Sequence, residues 1–210
     1  MPPHLGIRWT ALTGFCLVLL VACASPEPAS KKAPEAVSQP SEKARAAAQL
    51  EISARAAASE GRFADAAKAY VLYLDTLSED PARDPETYAN GLTQLAGCYY
   101  RLKFFAPAAA RYREAIAFES ARLGREHPDV EGLLSILAGV ELRLGRPKEA
   151  ERIQRDLLAA EYRRHGRGRR EAATILFNLA DALEAQGRTA ESADCRQEAK
   201  DIRHKLCDEC

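Results

Sequence analysis

The segment GRFADA, residues 61–66, returns in related form three times further along the chain. The related segments are KFFAPA at 103–108, GRPKEA at 145–150 and GRTAES at 187–192, and each begins 42 residues after the one before it. Because chance rarely places four matched segments at one spacing, the sequence predicts an internal repeat. Repeats of this length are typical of solenoids, in which each unit packs against its neighbours.

Each of these segments separates two stretches that have the apolar spacing of an amphipathic helix. Before the turn, large apolar residues are followed by a small one, as in Leu92, Leu95 and Ala96, which lets two helices approach closely. Three turns begin with glycine, which tolerates a left-handed backbone, whereas one begins with Lys103, which leaves open a different geometry there. After the turn, one position holds a small residue in every repeat: Ala66, Ala108, Ala150 and Ser192. The predicted helices span residues 43–60, 63–77, 86–102, 105–122, 129–144, 147–165, 170–186 and 189–206.

These repeats resemble the tetratricopeptide repeat family. The usual period of that family is ~34 residues, and 42 residues is the period of its longer, kinesin-light-chain-like subtype. Two local matches support the subtype: the linker LGREHPDV at 123–130, and FNLA at 177–180 followed by Gly187-Arg188. The linker at 78–85 departs from the pattern, and the aromatic residue expected after the turn is missing in the last two repeats, at Pro147 and Thr189.

The resemblance covers about residues 42–206. It implies an all-α fold, a right-handed superhelical stack of helix-turn-helix repeats, four of them in this chain. It also implies a scaffold or adaptor that binds a protein or peptide partner. The chain shows no phosphate-binding loop, nucleophile elbow or paired metal-binding histidines, so we expect no enzymatic activity and no cofactor. The formal net charge is zero, without the basic bias of nucleic-acid-binding proteins.

The first residues of the chain carry the signature of a secreted protein. Ala11 to Ala22 form an apolar run of 12 residues, too short for a helix that spans a membrane, which needs roughly 20. The run follows Arg8 and ends in small residues, the order of a signal peptide. Leu20-Val21-Ala22-Cys23 resembles the lipobox of bacterial lipoproteins, which implies lipidation of Cys23; the alternative is an ordinary signal peptide with a chance cysteine.

This interpretation divides the chain into four parts. Residues 1–22 form the signal peptide, 23–41 a lipidated linker, 42–206 the repeat domain and 207–210 a tail. The linker holds four prolines and no aromatic residue between 24 and 41, a composition typical of disorder. In the lipoprotein family an aspartate after the cysteine tends to retain the protein at the inner membrane. Ala24 therefore favours the outer membrane, with the protein facing the periplasm.

The resemblance also implies where a partner binds. In the tetratricopeptide family, polar residues on the first helix of each repeat line a concave surface that holds a peptide. The alternative is that such residues form the solvated face of a helix stack. Transferred by position, the candidate partner-binding residues are Arg55, Asn90, Thr93, Gln94, Arg101, Ser135, Arg143, Thr174, Phe177, Asn178 and Asp181.

The end of the chain offers a second hypothesis about function. Cys207 and Cys210 have the spacing to close a disulfide, which a secreted compartment permits. With His204 they supply three ligands, whereas a structural zinc site needs four, so no metal site is predicted. A redox or metal-handling protein of the cell envelope is the alternative function. The remaining interpretation is a frayed terminus with two free thiols.

Two further features of the sequence concern surfaces. Residues 163–170, RRHGRGRR, hold five arginines in the linker between repeats three and four. They form either a solvated loop paired with Glu161 and Glu171 or a positive patch for lipid phosphates or an acidic protein. The last helix pair, without a polar capping helix after it, could be covered in a homodimer.

Overall fold

The structure, a computed structural model, describes residues 41–78 and 84–208, and these residues form eight helices and no strand. The first helices of the four repeats alternate with the second helices, and each helix packs against the next one along the chain. This arrangement confirms the predicted all-α, right-handed superhelical stack, and every predicted helix boundary lies within two residues of the observed one. The helices are α1 (Glu42–Ser59), α2 (Phe63–Leu77), α3 (Pro85–Arg101), α4 (Phe105–Leu123), α5 (Pro128–Arg143), α6 (Pro147–His165), α7 (Arg170–Glu184) and α8 (Thr189–Asp208).

Small residues allow the two helices of each repeat to lie close together. One position on the first helices holds alanine throughout, and these four residues are at most 1% exposed: Ala54, Ala96, Ala138 and Ala180. The position after the turn is also buried in every repeat, from Ala66 to Ser192. Leucines and tyrosines fill the remaining space, with Tyr70 and Leu92 fully buried between the first two repeats. The core therefore lies between the packed helices, where the buried residues form three successive clusters along the stack.

All four turns between paired helices have the same geometry. Gly61, Gly145 and Gly187 have φ angles of 78°, 70° and 76°, and Lys103 adopts 62° in the equivalent position. In each turn the following residue donates its N–H to a carbonyl five residues earlier, as Phe104 does to Tyr99 at 2.8 Å and Arg146 to Glu141 at 2.9 Å. These bonds are those of a Schellman helix ending. The turn at Lys103 is thus the same as the others and bears a strained residue.

Replacing Lys103 by glycine should stabilise the protein by about 1 kcal/mol, since a left-handed backbone costs a residue with a Cβ about that much. Urea unfolding followed by circular dichroism measures the change. Lys103→Ala is the matched control, because alanine removes the same side chain and keeps the Cβ, so it should bring no such gain. Equal stabilities of the glycine and alanine variants would contradict the explanation.

The ends of the stack bear on two predictions. None of the described helices is both long and apolar enough to cross a bilayer. The exposed side of α8 is polar along its length and includes Asp194, Gln197, Lys200 and Asp201, so this helix itself presents a polar outer face. Association through the last helix pair remains a prediction. The predicted signal peptide, Cys23 and most of the linker lie outside the described residues.

Candidate functional site

The predicted partner-binding residues share the outward side of the first helices, α1, α3, α5 and α7. Because the repeat is 42 residues long, equivalent positions form columns across these helices. All of the predicted residues are exposed or half-buried. Helices α5 and α7 contact each other, and the Nδ2 of Asn178 donates to the Oγ of Ser135 at 3.4 Å. We call this the first-helix surface, defined by the columns that contain Asn90, Gln94 and Arg101.

The first-helix surface also bears two exposed isoleucines, which the sequence analysis did not select. Ile52 is 61% exposed and Ile136 is 48% exposed. They belong to the same column as Gln94 and Asn178, so apolar and amide side chains alternate along it. The 42-residue spacing could have identified them. Polar amides occupy the equivalent positions in the other repeats, so this column faces solvent and its isoleucines cannot belong to the buried stripe. A partner on this surface would meet both apolar contacts and hydrogen-bonding groups.

Three grooves interrupt the first-helix surface and its edges. We name each after a buried residue that lines it. The Glu119 groove, of about 380 Å³, lies between α3, α4 and α5. The Glu161 groove, of about 410 Å³, lies between α5, α6 and α7. The Gln154 groove, of about 390 Å³, also lies between α5, α6 and α7, but closer to the turns that join paired helices. Tyr100 of α3 lines it as well.

Gln154 explains how its groove arises. It occupies the position of Tyr70 and Tyr112 in the preceding repeats and is 1% exposed, and its Oε1 has no hydrogen-bond partner among the described residues. In repeat two, a Cβ added at Gly97 would meet the hydroxyl of Tyr112 at 3.9 Å. At the equivalent Gly139 it would meet no described atom within 4 Å. A shorter side chain in place of the tyrosine thus leaves helix backbone open beside a buried acceptor.

The grooves collect most, but not all, of the predicted residues. Asn90 and Thr93 line the Glu119 groove. Thr174 lines the Glu161 groove, and Ser135 lines that groove and the Gln154 groove. The Gln154 groove also has a set of polar groups that the sequence analysis selected on α5 and α7: Arg143, Asn178 and Asp181.

The other predicted residues lie outside the grooves. Arg55 pairs with Glu51 at 3.3 Å within α1, and Gln94 is exposed. The guanidinium of Arg101 lies 4.9 Å from the centre of the Phe63 ring. That stacking directs the Arg101 side chain towards α2.

Several polar groups on this surface already have intramolecular contacts. The hydroxyls of Thr93 and Thr174 donate to carbonyls of their own helices at 2.9 and 3.2 Å, so only their oxygen lone pairs can serve a ligand. Asp181 accepts from Arg196 at 2.9 Å. Phe177 packs beside α8, and the guanidinium of Arg203 lies 5.9 Å from its ring centre.

The basic segment at 163–170 is largely paired with carboxylates. Arg163 contacts Glu126 at 2.9 Å, and Arg164 contacts Glu131 at 2.5 Å. Arg169 lies 3.2 Å from Glu171, a pairing that the solvated-loop alternative predicted. Arg167 lies 3.5 Å from Glu198, and its guanidinium lies 4.9 Å from the ring centre of Tyr162. These pairs join the linker to both neighbouring repeats, and they favour the solvated, paired loop over an anion-binding patch.

A buried carboxylate on α5 escaped the sequence analysis. Glu141 is fully buried at the position that Tyr99 and Leu183 occupy in other repeats. Arg113 of α4 donates to it, and Arg146 in the turn lies 3.5 Å from its Oε2. An acidic residue within the apolar stripe is the signal that could have revealed it. The ion pairs join consecutive repeats and do not reach the first-helix surface.

Among the described cysteines, Cys98 is buried and Cys207 is exposed. Cys98 is buried, as predicted, and burial raises the pKa of its thiol, which makes the thiolate form scarce. Cys207 is exposed on α8, but Cys210 lies outside the described residues, so the disulfide remains a prediction. Among the described residues, no three histidine, cysteine or acidic side chains are grouped to hold a metal ion.

Comparisons with known proteins agree with this geometry. Residues 129–205 match the family described as tetratricopeptide repeat. The structure is similar to that of BtubC (BKLC) from P. vanneervenii, with a TM-score of 0.69 at 20% identity over 80% of this chain and 67% of that one. It is also similar to the structure of nearly identical TPR-like repeats from a Podosopora anserina protein described as a kinesin light chain. There the TM-score is 0.72 at 19% identity over 80% of each chain. No curated protein matches the sequence.

Proposed function

We propose, from the premise that this chain is a tetratricopeptide-repeat protein, that it is a scaffold whose first-helix surface binds a protein or peptide in the bacterial cell envelope. The observation that carries the proposal is the unfilled Gln154 groove. A buried amide oxygen, exposed helix backbone at Gly139 and the side chains of Asn178 and Arg143 line one depression. A peptide backbone supplies the N–H donor that the buried oxygen lacks, and exposed Ile136, which lines the Glu119 groove, adds apolar contact area elsewhere on the first-helix surface.

The second part of the proposal concerns the membrane. The support is the lipobox-like sequence that ends at Cys23, together with the proline-rich residues that separate it from the repeats. On this proposal acyl chains on the sulfur of Cys23 hold the protein at the outer membrane, and the repeats face the periplasm. Proline-rich segments extend by up to ~3.1 Å per residue, so the repeats can reach partners away from the lipid surface.

Crosslinking followed by affinity capture from native membranes tests the binding surface. Asn90→Ala combined with Asn178→Ala removes one amide from the Glu119 groove and one from the Gln154 groove. Because each hydrogen bond contributes about 1 kcal/mol, we expect capture of the partner to fall roughly tenfold or more. Quantitative mass spectrometry of the captured proteins gives the readout.

The matched control combines Gln197→Ala with Lys200→Ala, which truncates two exposed polar residues of a second helix, α8. This variant should capture the partner as the unaltered protein does, and thermal unfolding should confirm that both variants are folded. Capture of the same proteins in equal amounts by the Asn90/Asn178 variant would show that the first-helix surface is not the binding surface.

A further inference from the structure

The Glu119 and Glu161 grooves are the same groove in successive repeats. Their buried glutamates are 42 residues apart, and both are 6% exposed. Each groove is also lined by the arginine three residues later, Arg122 or Arg164. Other lining residues correspond by the same step, such as Thr93 with Ser135 and Leu133 with Ile175 on successive first helices. The two grooves can therefore be compared group by group.

The arginines of the two grooves make different contacts. Arg122 donates to Glu119 at 2.8 Å, which neutralises the buried carboxylate. Arg164 instead donates to both carboxylate oxygens of Glu131 at 2.5 Å. The cause lies in the sequence, because Glu131 stands where the preceding repeat has Ala89. The additional carboxylate draws the arginine to α5 and away from its own glutamate.

As a result, Glu161 does not receive the arginine hydrogen bond that Glu119 accepts. Its Oε1 is buried and has no hydrogen-bond partner in the described part of the chain. Arg169 forms a long ion pair with this oxygen: its Nε lies 4.0 Å from the Oε1 of Glu161 and 3.2 Å from Glu171. Three carboxylates and two guanidinium groups line the groove, together with His165. A buried carboxylate oxygen that accepts no hydrogen bond is unfavourable, and an incoming cationic group can supply the missing donor.

We propose that the Glu161 groove receives the cationic end of a lysine or arginine side chain from the partner. This inference rests on the proposed function, whose partner it describes more closely. The cationic group donates a charge-assisted hydrogen bond to Glu161. The aliphatic stem packs against the apolar lining that Leu157 and Ile175 provide. The Glu119 groove does not accept such a group, because Arg122 already occupies its carboxylate.

Titration of the ¹⁵N-labelled full chain with Nα-acetyl-lysine methylamide tests the groove directly. The uncharged analogue Nα-acetyl-norleucine methylamide is the matched probe. We expect saturable amide shifts at Glu161, Glu171 and Ile175 with the lysine probe, and at least tenfold weaker binding of the norleucine probe. Glu161→Gln keeps the shape of the side chain and should weaken lysine binding at least tenfold. Equal shifts with both probes would overturn the proposal.

Two further variants separate this groove from general surface charge. Glu131→Ala restores the arrangement of the preceding repeat, so that Arg164 can turn to Glu161, and it should abolish lysine binding although Glu161 is unchanged. Glu119→Gln makes the equivalent change in the other groove and should leave lysine binding unchanged. Lysine binding that survives Glu131→Ala would refute the mechanism.

The capture experiment distinguishes this inference from the proposed function. If the lysine probe fails to bind while Asn90→Ala/Asn178→Ala still reduces capture, the cation-binding groove is wrong and the scaffold proposal stands. If capture is unaffected while the lysine probe binds as described, the first-helix surface is wrong as the main docking site. The groove then stands as a cation site of its own.

Discussion

Leu92→Ala should destabilise the protein by about 3 kcal/mol. Leu92 is fully buried in α3 and belongs to the core cluster that contains Tyr70, Tyr73 and Leu95. Its truncation removes apolar burial and leaves a cavity, and such substitutions cost 2–5 kcal/mol. In a stack of repeats each unit is stabilised mainly by its neighbours, so a loss at this interface weakens both α1–α2 and α3–α4. Urea unfolding followed by circular dichroism measures the change.

Leu134→Ala is the matched control, because Leu134 is the equivalent of Leu92 in the next repeat. Unlike Leu92, it is half-buried at the edge of its core cluster. The chemical change is identical, so a smaller loss, of about 1 kcal/mol, would reflect only the difference in burial. Equal losses at the two positions would contradict the packing described for these repeats.

The periodic part of the fold could be predicted from the sequence because each repeat solves the same packing problem. An alanine such as Ala96, set between leucines, is required wherever two helices approach closely, so its recurrence every 42 residues reveals the helix pairs. The turn at Lys103 could not be predicted in this way. Sequence alone suggests a different turn there, yet the flanking helices impose the left-handed backbone on a lysine.

The candidate site was predictable only in outline. Position within the repeat predicted the polar residues on the outward side of the first helices, including Asn90 and Asn178, and the structure places them there. It did not predict that the Oε1 of Glu161 accepts no hydrogen bond within the described part of the chain, since this depends on which of two carboxylates Arg164 reaches. A sequence pattern reports which charges are present in a segment, whereas the pairing depends on distances between helices.

The same reasoning explains why variation between repeats carries the functional information. Where repeats agree, as at Ala54 and its equivalents, the residue serves the packing of helix pairs. Where equivalent positions hold different residues that the packing of the helices does not require, the difference alters a groove. Gln154 in place of tyrosine opens helix backbone, and Glu131 in place of alanine releases a buried carboxylate. Both residues belong to repeat three, and the grooves that they line extend to α7 of repeat four, so we propose that the specific contacts of the partner are made there.

Cys23→Ser should transfer the protein from the membrane to the soluble fraction or block its processing. The prediction follows from the proposed lipid anchor, because a serine hydroxyl does not replace the thiol that carries the acyl chain. Acyl chains contribute ~0.8 kcal/mol per buried CH₂, so more than one chain gives durable attachment and its loss should be nearly complete. Fractionation with palmitate labelling measures the effect. Cys16→Ser, within the apolar run, is the control and should remain membrane-bound. Palmitate labelling of Cys23→Ser equal to that of the unaltered protein would refute the anchor.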